Sequence, residues 1–283
     1  MTLNRQRLEA ALETLQGLTE PENAHLNNFL EVFDLHLFDC IPSTNQTLWE
    51  LMNSGAKAGT VVIASTQTAG RGQWGRQWQS NSGGLYLSLA IEPQILACQQ
   101  AQLTLAGAWG IATMLRSYDI PVDLKWPNDL LLKKRKLGGI LTETKVSQGK
   151  IIRAVIGVGI NWKNTVPETG INLQTYLTQY SDSAKVHSIE MLAALVLQGL
   201  KIGLQQLSHI GIEPLLKSYS QLLTCLGDRI NIAEKSGKIV GVNAAGELRV
   251  QLDSPQNNKF EEITIQPGQI SLGYLNLSKG SRQ

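Results

Sequence analysis

The spacing of hydrophobic residues predicts a chain that contains both helices and strands. In residues 1–35, Leu8, Leu12 and Leu15 recur with the period of a helix, so we predict an N-terminal helix that packs on the main domain. The same spacing predicts three further helices, at residues 99–118, 188–208 and 213–223. Ser188 is suited to cap the second of these, because a serine hydroxyl can accept a hydrogen bond from the first helical turn.

The predicted strands of the middle region are short. Leu85, Leu87 and Leu89 alternate with Tyr86 and Ser88, which predicts a strand with one face toward the core. Short apolar or alternating runs predict further strands at residues 61–64, 122–126, 129–133, 137–145 and 151–160.

After about Thr224 the pattern changes to short strands separated by turns. These strands are predicted at residues 228–232, 238–242 and 247–252 and around 263–265. Regular spacing of short strands indicates a small barrel, so the whole chain is predicted to be an α+β protein with a separate C-terminal unit.

The composition excludes several classes of protein. The 283 residues are 42% hydrophobic and 17% charged and include 26 glycines, which favours a loop-rich enzyme over a helical bundle or a disordered chain. A formal net charge of +2 is too small to indicate binding to nucleic acid or to an anionic membrane. The basic run at residues 133–136 is interpreted as a solvated turn.

Cysteine usage and the absence of long apolar runs point to the cytoplasm. Cys40, Cys98 and Cys225 are far apart and odd in number, which argues against a disulfide framework or a zinc site. No run approaches the roughly 18 apolar residues of a membrane span. The N-terminus lacks the apolar core of a signal peptide, so we expect a cytoplasmic protein without a membrane partner.

A segment rich in glycine and arginine gives the strongest indication of chemistry. Gly70, Gly72 and Gly75 match the dinucleotide-binding pattern GxGxxG, and Glu92 lies about twenty residues further on. In the dinucleotide-binding fold a helix follows the glycines, whereas residues 76–84 form a polar turn before a predicted strand. The pattern instead favours a loop whose bare backbone and arginines bind phosphate or carboxylate oxygens.

Other segments place polar or small residues where a ligand can approach; they are residues 42–46, 64–69, 125–129, 136–141 and 156–161. Residues 125–129 bring together an ammonium, an amide and a carboxylate. Two segments have structural alternatives. A role as helix N-cap, without any contact to a ligand, would be enough to explain Ser43 or Thr44. Close packing against a helix, instead of close approach of a ligand, would explain the glycines at 157 and 159.

Five motifs, in this order, resemble those of biotin protein ligases (biotin–[acetyl-CoA-carboxylase] ligases). They are Ser43-Thr44-Asn45, residues 67–72 (QTAGRG), residues 125–129 (KWPND), residues 135–141 (RKLGGIL) and residues 157–161 (GVGIN). The resemblance covers roughly residues 36–273. It implies a mixed β-sheet catalytic domain flanked by helices and a small SH3-like barrel. We therefore expect an N-terminal helical extension (1–35), a biotin- and ATP-binding catalytic domain (36–223) and an SH3-like C-terminal domain (224–283).

The resemblance also implies a reaction in two steps. Biotin and ATP would give biotinyl-5′-AMP and pyrophosphate, with Mg²⁺ as the cofactor. A lysine of a biotin carboxyl carrier protein, a domain of acetyl-CoA carboxylase, would then receive the biotinyl group. Approach of the biotin carboxylate to a phosphate requires dense positive charge, which accounts for the cationic motifs.

The resemblance assigns roles to individual residues. The expected biotin contacts are Ser43, Thr44, Asn45, Gln67, Arg71, Gly72, Gln73, Lys136 and Gly139. The expected ATP contacts are Gly70, Arg71, Arg76, Lys125, Asn128 and Asn161. The expected catalytic residues are Lys136, Arg76, Lys125 and Asp129, and Asp129 is also the candidate ligand for Mg²⁺. Apolar walls for the biotin tail are expected from Leu85, Ile140 and Leu141.

The chain departs from the family pattern at two places. Gln73 stands where many members carry arginine, so retention of the adenylate is expected to differ. Only 42 residues precede Ser43, too few for the DNA-binding winged helix of bifunctional members, so we expect no specific binding to DNA. A homodimer is left open. The alternatives are a lipoate or octanoate ligase or transferase, and a nucleic-acid-binding regulator that uses Arg71, Arg76 and the turn at 133–136.

Overall fold

The computed structural model of the chain describes residues 3–16, 33–180, 185–232, 235–253, 261–270 and 272–273. The α-helices in these ranges are α1 (Arg5–Gln16), α2 (Thr44–Asn53), α3 (Gln100–Arg116), α4 (Leu173–Tyr180), α5 (Ile189–Ile210) and α6 (Ile212–Leu222). The first eight strands are β1 (Asp34–Ile41), β2 (Thr60–Gln67), β3 (Leu85–Ile91), β4 (Ile95–Leu96), β5 (Asp123–Lys125), β6 (Asp129–Leu132), β7 (Arg135–Ser147) and β8 (Lys150–Ile160). The last four are β9 (Arg229–Ile232), β10 (Lys235–Val242), β11 (Leu248–Leu252) and β12 (Glu262–Ile265). The hydrophobic spacing did not indicate β1, β4 or α4.

The first eight strands form one mixed sheet, as expected from the resemblance. Its order is β1-β2-β3-β8-β7-β6-β5, and β4 pairs with β8 outside this path. Strands β1 and β2 are parallel, and the other pairs of this sheet are antiparallel.

Both faces of the central strands are covered. Helices α3 and α5 pack on one face, which we call the helical face and which includes Leu87 and Ile156. Helix α2 packs on part of the opposite face, which we call the α2 face and which includes Val62 and Val155. All seven residues of β3 are buried. The prediction that β3 turns only one face to the core was therefore wrong, because Ser88 lies beneath α2.

The N-terminal helix packs on the main domain, as its spacing predicts. Helix α1 lies against α5, with Leu8 and Leu15 buried between them. The backbone N–H of Asn4 donates a hydrogen bond to the carboxylate of the buried Glu190 at 3.1 Å. Strand β1 begins at Asp34, inside the segment expected to form the N-terminal extension.

The C-terminal strands form a separate four-stranded antiparallel sheet in the order β12-β11-β10-β9. Its closure into an SH3-like barrel stays a prediction. The indole N–H of Trp126 donates to the backbone oxygen of Gly246 at 2.8 Å, and the amide of Gln102 donates to Ala244 at 2.9 Å. These bonds attach the small sheet to α3 and to the β5–β6 turn.

Three expectations from the sequence can be compared with the described ranges. The three cysteines are free thiols, as predicted; Cys225 is buried, and Cys40 and Cys98 are exposed. Among the described helices, none has both the length and the apolar character needed to cross a bilayer. Lys133 and Lys134 form an exposed turn between β6 and β7, with φ angles of 51° and 61°. The basic run is thus in part the solvated turn that was predicted.

Candidate active site

A cavity of about 400 Å³ opens on the α2 face of the large sheet, beside the first turn of α2. The predicted site residues that line it are Ser43, Thr44, Asn45, Gln67, Arg71, Gly72, Gln73, Arg76, Lys125, Asn128, Asp129, Lys136 and Gly139. Two predicted ATP contacts, Gly70 and Asn161, are not in the lining. Ile140 and Leu141 line the cavity as expected, whereas Leu85 packs in the core on the helical face.

Two glycines of β8 make room for side chains of the site. A Cβ at Gly157 would overlap the amide oxygen of Asn45, and a Cβ at Gly159 would lie 2.6 Å from the indole nitrogen of Trp78. Both glycines also line the cavity. Close packing against a helix, one of the two explanations open at the sequence level, holds for Gly157, because Asn45 belongs to α2. The bare strand accommodates Asn45 and Trp78, which form the cavity wall.

The polar end of the cavity is a connected hydrogen-bond network. The Gln67 side-chain oxygen accepts from the backbone N–H of Thr44 at 2.7 Å, and the Gln67 amide donates to the Ser80 hydroxyl at 2.6 Å. The fully buried Ser88 hydroxyl lies 2.6 Å from Asn45 Oδ1 and 2.8 Å from Thr44 Oγ1. Ser43 occupies the N-cap position of α2, but its side chain makes no capping hydrogen bond. The capping alternative therefore does not account for its side chain.

The glycine-rich loop folds back on itself. The backbone N–H of Gly72 donates to the Arg76 oxygen at 2.7 Å, and that of Trp78 donates to the Gly70 oxygen at 3.0 Å. A Cβ at Gly70 would collide with the backbone of Trp78, so this glycine serves the close approach of the two sides of the loop. Strand β3, not a helix, is the next regular element after residues 76–84. The expectation that this GxGxxG match does not form a dinucleotide-binding motif is confirmed.

Two buried polar atoms of this loop have no hydrogen-bond partner in the described part of the chain. They are the side-chain oxygen of Gln73 and the indole N–H of Trp78. Both residues line the cavity. Because an unsatisfied buried polar group costs roughly 1–3 kcal/mol, such atoms at a cavity wall are suited to pair with a ligand.

A β-bulge turns Lys136 into the cavity. Leu130 pairs with Gly138 and Leu131 with Lys136, so Leu137 has no partner on β6. One extra residue shifts the alternation of the strand, and Lys136 thereby faces the cavity with Gly139, while Leu137 is fully buried. Without the bulge, alternation would direct the leucine to the cavity and the ammonium away from it.

The backbone of Lys136 is also held by hydrogen bonds to residues that lie outside β6. Its N–H donates to the Thr169 oxygen, and its own oxygen accepts from Ile171, each at 2.9 Å. The amide of the buried Asn161 donates to the same Lys136 oxygen at 3.3 Å. Asn161 thus contacts the backbone beneath the lysine and not the cavity itself.

The cationic end of the cavity contains three basic side chains. The Lys136 ammonium lies 2.6 Å from the Asp129 carboxylate and 5.2 Å from the centre of the Trp78 ring. Lys125 is half-buried, and burial lowers its pKa; the nearby Lys136 adds to the decrease and Asp129 opposes it. The exposed Arg76 guanidinium stacks at 5.7 Å over the ring of Trp74.

Sequence reasoning missed three residues of this site: Ser88, Trp78 and Glu143. The Glu143 carboxylate contacts Arg71 at 3.1 Å and accepts a hydrogen bond from Asn45 at 2.9 Å. Trp78 lies in residues 76–84, for which the sequence indicated only a polar turn. The available signal for Ser88 was a polar residue between leucines, which the alternation of the strand placed away from the core. Glu143 lies between two threonines, and no pattern marked it.

Asp129, the candidate ligand for Mg²⁺, does not belong to a cluster of metal-binding side chains in the part of the chain that the structure describes. Among the described residues there is no cluster of three or more acidic, histidine or cysteine side chains that could hold an ion. Asp129 is the carboxylate in the cavity lining. This donor set fits Mg²⁺, which is commonly bound by one or two carboxylates together with the phosphates of a substrate, and it does not fit a metal held by protein ligands alone.

Comparison with known proteins gives one family. The model of the biotin/lipoate A/B protein ligase family matches residues 37–161. The bifunctional ligase/repressor BirA of Escherichia coli (strain K12) is 30% identical over 236 residues, which cover 81% of this chain and 73% of that protein. The protein of the same name from Bacillus subtilis (strain 168) is 38% identical over 156 residues, which cover 53% of this chain and 48% of that protein. The chain therefore matches about half the length of this Bacillus relative.

The fold comparison agrees. The biotin protein ligase from Aquifex aeolicus in complex with biotin and ATP superimposes with a TM-score of 0.65 at 25% identity, covering 81% of this chain and 95% of that chain. The five motifs, the mixed sheet and the cavity that they line are thus accompanied by similarity over most of the chain. The chain belongs to the biotin/lipoate A/B protein ligase family.

Proposed function

We propose that this protein is an ATP-dependent ligase that activates biotin as biotinyl-5′-AMP and transfers it to a lysine of a biotin carboxyl carrier protein. One observation carries the proposal: a single cavity joins a neutral hydrogen-bonding end, at residues 43–45, to a cationic end at Lys125 and Lys136. The neutral end would hold a small polar ring with a carboxylate tail, and the cationic end would hold a nucleoside triphosphate. The carboxylate and the phosphates would meet between the two ends.

The neutral end suits a ureido ring. Both N–H groups of the Asn45 amide are used, one by Glu143 at 2.9 Å and one by the Leu141 oxygen at 3.3 Å. The Asn45 oxygen, already near Ser88, keeps acceptor capacity, because an amide oxygen has two lone pairs. Asn45 therefore offers an acceptor to the N–H groups of a ureido ring. Lipoate lacks such groups, so this arrangement favours biotin.

In the first step, an oxygen of the biotin carboxylate attacks the α-phosphorus of ATP and pyrophosphate leaves. Negative charge accumulates on the oxygens around that phosphorus. Lys136, which faces the cavity because of the bulge, would stabilise this charge, and a preorganised cation in a partly dry site acts more strongly than one in water. Gly72 and Gln73 would close over the acyl phosphate, with their backbone close to it.

The remaining cations would hold the polyphosphate. Arg76 and Lys125 line the same end of the cavity, and Asn128 lies beside them with its amide bonded to the Ile140 oxygen at 2.7 Å. Mg²⁺ on the phosphates, with Asp129 as a protein ligand, would neutralise charge at the leaving pyrophosphate. Gly70 and Asn161 would act by supporting the loop and the Lys136 backbone.

In the second step, the neutral amine of the carrier lysine attacks the biotinyl carbonyl carbon. An amide bond forms, AMP leaves with the electron pair of the broken acyl–phosphate bond, and the amine loses a proton. Asp129, whose carboxylate lines the cavity, would accept that proton.

The test is incubation of the protein with biotin, MgATP and a biotin carboxyl carrier domain, followed by mass spectrometry of the carrier. The proposal expects a mass increase of one biotinyl group that requires both ATP and the acceptor lysine. Lipoate and octanoate, supplied in place of biotin, should give no product. Modification by either of these acids, with none by biotin, would replace the proposal with the lipoate alternative.

A further inference from the structure

Glu143 accepts hydrogen bonds from three side chains, two on α2 and one on the glycine-rich loop. It lies on β7, on the α2 face, and its side chain is 26% exposed. One carboxylate oxygen accepts from Asn45 at 2.9 Å, from the Trp49 indole at 3.2 Å and from Arg71 at 3.3 Å. The other oxygen contacts Arg71 at 3.1 Å, so the guanidinium binds both oxygens of the carboxylate.

The contact with Asn45 fixes the polarity of the biotin end. An asparagine amide can present either its oxygen or its nitrogen to a ligand. The ionised Glu143 carboxylate can accept hydrogen bonds but cannot donate them, so it pairs with the nitrogen of the Asn45 amide. The Ser88 hydroxyl, on the opposite side of the amide, can donate to the Asn45 oxygen at 2.6 Å. The carboxylate and the hydroxyl together select the orientation in which Asn45 Oδ1 remains available as an acceptor.

The contact with Arg71 fixes the glycine-rich loop. The Arg71 guanidinium is committed to Glu143 on β7, whereas Lys136 supplies cationic charge at the opposite end of the cavity. A bidentate guanidinium–carboxylate pair restricts geometry more than a single contact does. Arg71 thereby anchors the loop, and the backbone of Gly72 faces the cavity.

We propose that Glu143 is a positioning residue that orients Asn45 for biotin and, through Arg71, holds the glycine-rich loop over the adenylate. This inference rests on the proposed function. It assigns to Arg71 a different task from the direct phosphate contact that the sequence suggests. It also couples the two ends of the site, because the same carboxylate orients Asn45 for the ureido ring and, through Arg71, anchors the glycine-rich loop.

Two substitutions separate the two tasks. Glu143→Gln keeps an oxygen that can accept from Asn45 and Trp49 but removes the charge that binds Arg71, whereas Glu143→Ala removes both. We expect Glu143→Gln to shorten the dwell time of bound biotinyl-5′-AMP by roughly tenfold, the size of a lost charge-assisted hydrogen bond, with little change in the Kd for biotin. Glu143→Ala should in addition weaken biotin binding by roughly tenfold.

Two further variants test the coupling. Arg71→Ala should shorten the dwell time of bound biotinyl-5′-AMP as much as Glu143→Gln does. The double variant that carries both substitutions should have a dwell time no shorter than that of either single variant, because both break the same contact. The matched control is Glu92→Gln, which makes the same chemical change in another ion pair, to Arg153 at 3.7 Å. Dwell times that are equal in Glu143→Gln and Glu92→Gln, or effects of Glu143 and Arg71 that add, would overturn the proposal.

A ligand-free measurement separates this inference from the function. If the parent protein shows no biotin-dependent ATP–pyrophosphate exchange, the proposed function fails. Hydrogen exchange of the backbone amides of residues 70–76 still tests the anchor in that case. Faster exchange in Glu143→Gln than in Glu92→Gln supports the anchor, and equal exchange refutes it.

Discussion

The Lys136 ammonium and the Asp129 carboxylate form an ion pair inside the cavity, with 2.6 Å between Nζ and Oδ1. Their side chains are 28% and 12% exposed, so the pair is partly shielded from water. Each group therefore holds the other in position before substrate arrives. A carboxylate or phosphate that approaches Lys136 competes with Asp129, which frees the aspartate for a cation or for a proton.

Lys136→Ala should lose most adenylation while the fold is retained. Removal of one preorganised donor at a site of developing charge costs on the order of 10²–10³-fold in rate. Biotin-dependent ATP–pyrophosphate exchange measures this step, and thermal unfolding checks the fold. Lys136→Arg, which keeps the charge but changes its shape, should retain more activity than the alanine variant. Unchanged exchange in Lys136→Ala would remove the lysine from the mechanism.

Lys125 predicts a pH dependence of ATP use. Burial lowers its pKa, so its positive charge is lost at a lower pH than that of an ordinary lysine as the pH rises. The kcat/KM for ATP reports the free enzyme and should therefore fall on the alkaline side. Lys125→Arg should shift this decrease to higher pH, because arginine stays protonated. The same alkaline profile in both proteins would show that another group titrates.

Gln73→Arg should lengthen the lifetime of the bound adenylate. The Gln73 side-chain oxygen is buried at the cavity without a partner among the described residues, and the substitution replaces it with a charged donor. A charge-assisted hydrogen bond to the phosphate would slow dissociation by roughly tenfold. Adenylate retained after gel filtration measures this. Gln73→Met, of similar size but without polar atoms, is the control and should not lengthen the lifetime.

Gly157→Ala should destabilise the protein and weaken biotin binding. The new methyl group would overlap Asn45 Oδ1, and overpacking of this kind costs about 1–3 kcal/mol. Gly139→Ala is the matched control for stability, because its Cβ would meet no atom closer than 3.5 Å. Thermal unfolding of the two variants should show a lower Tm for Gly157→Ala alone. Equal Tm values would mean that Asn45 moves aside without cost.

Most of the framework could be predicted from local patterns, because the helical spacing of α3 and α5 and the alternation in β7 and β8 depend on near neighbours. The contacts of Ser88 and Glu143 could not, because each meets partners that are distant along the chain, on α2 or on the glycine-rich loop. The alternation of β3 suggested a solvent-facing serine, yet α2 covers that face. The cavity residues found by the motifs came together as expected, whereas the task of Arg71 depends on a strand 72 residues away.

The bulge at Leu137 has a consequence for sequence change along β7. On the C-terminal side of the bulge Gly139, Ile140 and Leu141 line the cavity, whereas on its N-terminal side Lys136 does. Deletion of this one leucine would leave every chemical group of the site in the chain. The deletion would nevertheless bury the Lys136 ammonium among aliphatic side chains or force β7 to change its register with β6. The activity is thus exposed to insertions and deletions in β6 and β7 more than to conservative exchanges there.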